Sequence, residues 1–131
     1  MRCIRFSCLV LIVLFFSTCK KVQPVPSKLS GDWQLAKTYN AAYLTTNYYT
    51  TGSGYCFKFN DKEYSTECKG GAHKAGKRYT FTPDANNPDN GQIKFSGKMD
   101  PDTYHLTWDG DTLILTPSSP VYDVKYYIRS N

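Results

Sequence analysis

An all-β fold, a sandwich or barrel of short antiparallel strands, is what this 131-residue sequence predicts. Three observations carry that prediction. Tyrosine, phenylalanine and threonine are abundant while alanine, leucine and methionine are sparse, and pleated half-buried surfaces favour the first group as helices favour the second. Short alternating stretches are separated by Gly, Asn, Asp and Pro. One stretch, residues 103–116, also folds back on itself with both faces in agreement.

In chain order, residues 33–39 predict a first strand. Residues 41–51 are rich in Tyr and Thr without a clean period, so strand and loop both remain open. Residues 55–60 and 63–68 read as a hairpin around Asp61-Lys62. Residues 77–82 carry Tyr79 and Phe81 on one face, and residues 92–96 carry Ile93 and Phe95. The turn-rich run 83–91 (PDANNPDNG) joins those two strands. In the 103–116 hairpin, Asp109-Gly110 suits a type I′ turn. That turn sets Trp108 opposite Asp111, Leu106 opposite Leu113 and Tyr104 opposite Leu115. Tyr104, Leu106, Trp108, Leu113 and Leu115 then share one face. In the last strand, 121–129, Tyr122, Val124, Tyr126 and Ile128 are expected on the core side.

The first residues have another purpose. Met1-Arg2-Cys3-Ile4-Arg5 is a cationic start, Leu9 to Phe16 is an unbroken apolar run, and Ser17-Thr18 are small. A membrane-crossing helix needs roughly 20 apolar residues, so this run is too short. The order is that of a secretory signal peptide over 1–18. A cysteine at the cleavage point, Cys19, resembles the lipobox of bacterial lipoproteins, and the resemblance implies acyl chains on Cys19. The cysteine count agrees. Of five, Cys3 and Cys8 leave with the signal and an acylated Cys19 cannot pair, so Cys56 and Cys68 remain for a disulfide in an oxidising compartment. That bridge would contribute about 2–3 kcal/mol. A two-residue turn at Asp61-Lys62 sets Cys56 opposite Glu67, so direct pairing needs a one-residue offset, from a three-residue loop or a bulge. Residues 19–28 form a Pro-containing tether ahead of a folded domain over 29–131. Lys20 and Lys21 either meet anionic headgroups or act as a solubilising flank.

Leu29-Ser30-Gly31-Asp32-Trp33 resembles the Gly-x-Trp start of lipocalins. The chain's end, Asp111 to Leu115 followed by Tyr126-Tyr127-Ile128-Arg129, resembles them as well. The resemblance implies an up-and-down antiparallel β-barrel of about eight strands. It gives Gly31, Trp33 and Arg129 structural roles, with Arg129 packed over Trp33. The pattern is similar to that of small lipocalin-like lipoproteins of bacteria. The Thr-Asp-Tyr motif of lipocalins is not evident, and the domain is shorter than a typical member, which bears against a large cavity.

Catalytic and metal constellations are missing from the pattern. His73 and His105 lie far apart, without His-carboxylate or HxxxH spacing, so neither a metal nor a cofactor is expected. Residues 84–91 break the EF-hand order at Pro88 and Asp89. Residues 71–77 lack the Ser/Thr and helix of a phosphate loop. Losing Arg2 and Arg5 lowers the formal charge from +5 to +3. The remaining basic end, Lys69 to Arg78, suits contact with anionic lipid or a solvated loop, and no nucleic acid is expected. Tyr39, Tyr43, Tyr48, Tyr49, Tyr55 and Tyr127 exceed what so small a core absorbs. Such rings suit glycan or protein contacts, or are ordinary β-surface tyrosines.

The sequence therefore leads us to expect a monomeric, non-enzymatic protein of the bacterial cell envelope, lipid-anchored to the outer membrane on its periplasmic or surface face. Its binding surface would be built from Tyr43, Tyr48, Tyr49, Tyr55 and Trp108. That surface would take a small apolar ligand or an envelope partner. A protein- or glycan-interaction module with a filled core is the second reading.

Overall fold

The computed structural model describes residues 25–60, 64–73, 76–97 and 101–130. The signal segment, Cys19 and the tether up to Pro24 lie outside these residues. Ten strands form one antiparallel sheet: β1 (Gly31–Asn40), β2 (Thr45–Tyr48), β3 (Cys56–Phe59), β4 (Tyr64–Lys69), β5 (Ala72–His73), β6 (Lys77–Pro83), β7 (Gly91–Phe95), β8 (Thr103–Asp109), β9 (Thr112–Pro117) and β10 (Val124–Arg129). Eight of them close into a barrel in the order β1-β3-β4-β6-β7-β8-β9-β10, with β10 returning to pair with β1. The short β2 extends beyond the barrel on β1, and β5 is a two-residue addition to β4. The ambiguous 41–51 run thus contains both a strand and a turn.

Rings fill the interior. Phe57 stacks on Phe59 at 5.1 Å, touches Phe95 at 5.3 Å and meets Tyr127 edge-on at 5.8 Å. Tyr79 abuts Phe59 at 5.5 Å, and Tyr104 abuts Phe95 at 6.0 Å. These separations are those of favourable aromatic pairs, worth about 0.5–1.5 kcal/mol each beyond the area they bury. Ile93, Leu106, Leu113 and Leu115 complete the core.

A bulge decides what faces inward on β1. Leu35 pairs with Tyr127 and Lys37 with Tyr126, so Ala36 is an extra residue. An inserted residue reverses the alternation beyond it. Trp33 and Leu35 point inward before the bulge, and Thr38 and Asn40 are the buried positions after it. The apolar interior therefore gives way to a polar one partway along a single strand.

Two registers differ from expectation. The 103–116 hairpin pairs Asp109 with Thr112, Trp108 with Leu113, Leu106 with Leu115 and Tyr104 with Pro117. Its turn is Gly110-Asp111, with Gly110 at φ +57°, the position where a type II′ turn requires glycine. The shift is two residues, so every side chain keeps its expected face. On β10 the face itself is reversed. Tyr127 is buried, while Ile128 is 41% exposed. The cause is barrel closure: Tyr127 pairs with Leu35 on one side and Leu113 on the other, both of which face inward. Lys125 and Arg129 share that inner face, so the strand turns its expected core residues outward. Tyr127 accordingly leaves the set of surface tyrosines.

The β3–β4 hairpin resolves the disulfide conflict through the offset register. Cys56 pairs directly with Cys68, Phe57 with Glu67 and Phe59 with Ser65, and the two cysteines are bridged with Cα atoms 4.8 Å apart. The proposed turn at Asp61-Lys62 lies outside the described residues.

Candidate functional site at the barrel mouth

The barrel has two unlike ends. At one, the entering chain forms a lid. Val25 packs on the core, Pro26 and Leu29 are buried, and a 3-10 turn spans Ser27–Leu29. The packed chain thus begins ahead of Leu29. Trp33 Nε1 donates to the Leu29 carbonyl at 2.8 Å and its ring lies 5.5 Å from that of Trp108. The Arg129 guanidinium covers Trp33 at 4.6 Å and donates to the Lys28 and Ser30 carbonyls at 2.7 and 3.1 Å. Gly31 leaves room for it: a Cβ there would stand 2.7 Å from Arg129 Nη1. Lys28 reaches over Trp108 at 4.6 Å and donates to the Gly110 carbonyl at 2.7 Å. Trp108 also donates to the Asp89 carbonyl at 2.9 Å. Of the sequence-derived binding residues, Trp108 therefore belongs to the sealed end, away from the tyrosines.

The opposite end is open. A recess of about 210 Å³ is lined by Leu35, Thr38, Tyr49, Tyr55, the Cys56–Cys68 bridge, Glu67, Lys69, Asp123, Lys125 and Tyr127. Glu67 faces inward because its partner Phe57 does, and Lys125 because its partners Leu115 and Thr38 do. Lys125 Nζ lies 5.5 Å from the Tyr104 ring. Tyr49 and Tyr55 meet edge-on at 5.3 Å. Burial, and then the neighbouring Glu67 charge, push the Tyr127 hydroxyl well above tyrosine's ordinary pKa of 10.0. This tyrosine stays protonated and neutral.

The rim is the β1–β2 hairpin. Asn40 Oδ1 accepts from the Ala42 and Tyr43 amides at 3.0 and 3.1 Å, and its Nδ2 donates to Asp123 Oδ1 at 2.7 Å. One buried amide thereby fastens two loops of the mouth. Beyond it, Tyr43 and Tyr48 are 76% and 80% exposed, and Leu44 between them is also exposed. Leu44 has φ +53°, the only non-glycine with positive φ among the described residues. The left-handed conformation costs a leucine roughly 1–2 kcal/mol.

Tyr49 and Tyr55 thus stand in the wall of the recess, whereas Tyr43 and Tyr48 lie exposed on the β1–β2 hairpin and are not part of its lining. Thr38, Glu67, Asp123 and Lys125 were not singled out from the sequence. Thr38 and Lys125 owe their places to the bulge and to barrel closure, which leave no mark in composition. Among the described residues no three His, Cys, Asp or Glu gather into a metal-binding group. His105 lies on the outer face, with Nε2 2.9 Å from Asp84 Oδ2.

Fold and site define a closed antiparallel barrel with one sealed end and one recessed polar mouth. No protein-family model matches the chain, and neither a curated protein nor a solved structure matches it.

Two consequences can be measured. Among the described residues the buried Thr38 hydroxyl has no hydrogen-bond partner. Replacing it with the isosteric Thr38→Val is expected to stabilise the fold by about 1 kcal/mol in urea unfolding, since an unsatisfied polar group is removed. A loss of stability would show that the hydroxyl is satisfied. Alkaline pH should act through Tyr127. Its folded pKa lies above its unfolded value, so its contribution is intact below pH 10 and lost as pH rises toward the folded value. In that window stability falls by up to about 1.4 kcal/mol per pH unit. Tyr127→Phe should flatten the fall between about pH 9 and about pH 11 in urea titrations. An unchanged slope would refute the assignment.

Proposed function

We propose that this protein is a non-enzymatic binding module of the bacterial cell envelope, lipocalin-like in kind and lipid-anchored at Cys19, which engages an envelope protein or glycan at its open mouth. One observation carries this reading. Aromatic side chains fill the barrel except at one end, where a recess opens, and the β1–β2 hairpin beyond that end exposes Tyr43, Leu44 and Tyr48. Carriers of drug-sized apolar molecules use mostly apolar pockets of about 300–1,000 Å³. A recess of about 210 Å³ with acids and bases in its wall favours the interaction module over such a carrier.

The anchor supplies a direction. Cys19 is six residues from Val25, a reach of at most about 20 Å. Since Val25 to Leu29 pack on the sealed end, anchoring at Cys19 turns the mouth away from the bilayer.

Crosslinking of the full chain in envelope extracts tests the proposal. A specific protein or glycan partner is expected, and Tyr43→Ser/Tyr48→Ser should abolish its recovery without changing the melting temperature. Recovery of nothing above background, or of an apolar molecule by organic extraction and native mass spectrometry, would overturn the reading. A Cys19→Ala chain that still partitions with membranes would refute the anchor.

A further inference from the structure

The outer wall of the barrel has two unlike sides. Residues paired directly across antiparallel strands share a face, so the register shows which side chains stand outside together. Across β9, β10, β1 and β2, one outward row is Ile114, Tyr126, Lys37 and Tyr48, and another is Val124, Tyr39 and Thr46. Ile128, paired with Gln34, extends this face toward the sealed end. Across β3 to β8 the outward pairs are instead Lys58 with Thr66, Thr80 with Lys94, and Gln92 with His105. Rings and aliphatic chains thus cover one side of the wall and polar groups the other. Tyr48 and Ile128 are 80% and 41% exposed, and Tyr39, Ile114, Val124 and Tyr126 are partly exposed. Lys37 is the one charge in the two rows, and its ammonium lies over the Tyr126 ring at 3.9 Å.

We propose that the outer face of β9, β10, β1 and β2 packs against the same face of a second copy of this chain. The product is a side-by-side dimer on the bilayer, in place of the monomer expected from the sequence. This inference rests on the Cys19 anchor proposed above and adds to it. The tether decides which surfaces meet. Six residues from Cys19 to Val25 reach at most about 20 Å, so each copy stands with its sealed end at the bilayer. Copies held in that one orientation meet side to side, and a two-fold axis along the bilayer normal brings equal faces together. Chemistry decides which side. Contact through β3 to β8 would strip water from lysine and histidine, whereas tyrosine and aliphatic chains are what interface cores favour. Size decides the strength. Four strands at about 4.8 Å spacing, each about six residues long, give a footprint of about 400 Å². A stable interface takes about 800 Å² from each partner, so the pair is weak when both copies are free. Confinement to one surface raises the local concentration as a short linker does, and makes up the difference.

The test uses the full chain in phosphatidylcholine vesicles at high lipid excess, with donor or acceptor dyes on a C-terminal tag. Energy transfer above the level of random encounters is expected. Ile114→Glu/Val124→Glu and Ile114→Lys/Val124→Lys should each reduce transfer to that level, since like charges then face one another. An equal mixture of the two double variants should regain it, which also shows that both remain folded. Transfer at the random level in the unaltered chain, transfer that survives either double variant, or a mixture that stays unpaired would each overturn the proposal. If the chain holds to vesicles without pairing, the dimer falls and the anchor stands. If Cys19→Ala still partitions with membranes, the anchor falls, and the side-by-side geometry with it.

Discussion

Trp33→Ala is expected to lower the unfolding free energy by about 3–5 kcal/mol, the largest loss from any single side chain at the sealed end. The indole is buried, and its removal leaves a cavity walled by Trp108 and Arg129. The same change strips the Leu29 carbonyl of its donor and the guanidinium of its ring. Leu29 and Val25 lose the surface they pack on, so the lid should loosen with the cavity. Domains of this size are stable by about 5–15 kcal/mol, and the variant should lie near the limit of folding at 37 °C. Trp33→Phe separates the contributions: it retains most of the volume and loses the hydrogen bond, so about 1–2 kcal/mol is expected. Urea midpoints of the three proteins decide the matter. A Trp33→Ala loss below about 1 kcal/mol would mean that the lid, not the indole, closes the barrel.

The second large effect lies across the molecule. Joint replacement Cys56→Ser/Cys68→Ser should cost about 3 kcal/mol, the chain-entropy value for cysteines 12 residues apart. The location gives this bridge more than an entropic role. Among the described residues β4 pairs with β6 only at Tyr64↔Arg78 and Ser65↔Lys77, while Cys68 and Lys69 pair with β5. This is the thinnest seam of the barrel wall, and the disulfide ties its β4 side to β3. Amide exchange in the double variant should therefore quicken first in β3 and β4, with β8 and β9 protected longest. Uniform quickening across all strands would show that the seam carries no special weakness.

How far the sequence reveals this architecture depends on the strand. β6, β7 and the β8–β9 hairpin alternate strictly, and Tyr79, Phe81, Ile93, Phe95, Leu106, Leu113 and Leu115 are all buried as that period requires. The two-residue register error in the hairpin did no damage, because a shift by two keeps every face. β1 was legible only to Leu35, since one inserted residue reverses the pattern without any change in composition. β10 misled because its inward positions are Lys125, Tyr127 and Arg129, whose long stems and rings work as core material while their polar tips serve the two ends of the barrel. The excess of tyrosine over what a core can hold drew attention to Tyr49 and Tyr55, which line the recess, and equally to Tyr127, which is buried. The charged lining is not legible in this way, because Glu67 and Lys125 are 58 positions apart and come to one recess only through barrel closure.

The placement of the two tryptophans has an optical consequence. Both indoles of the chain, Trp33 and Trp108, stand against one another at the sealed end, and the recess is lined by tyrosines. Excitation at the red edge of the aromatic band, where only indole absorbs, therefore reports on the lid alone. Tyrosine emission, by contrast, sums over eleven rings spread through the core, the strands and the recess. One unlabelled chain thus has a spectroscopic channel that follows loosening of the lid without interference from the recess.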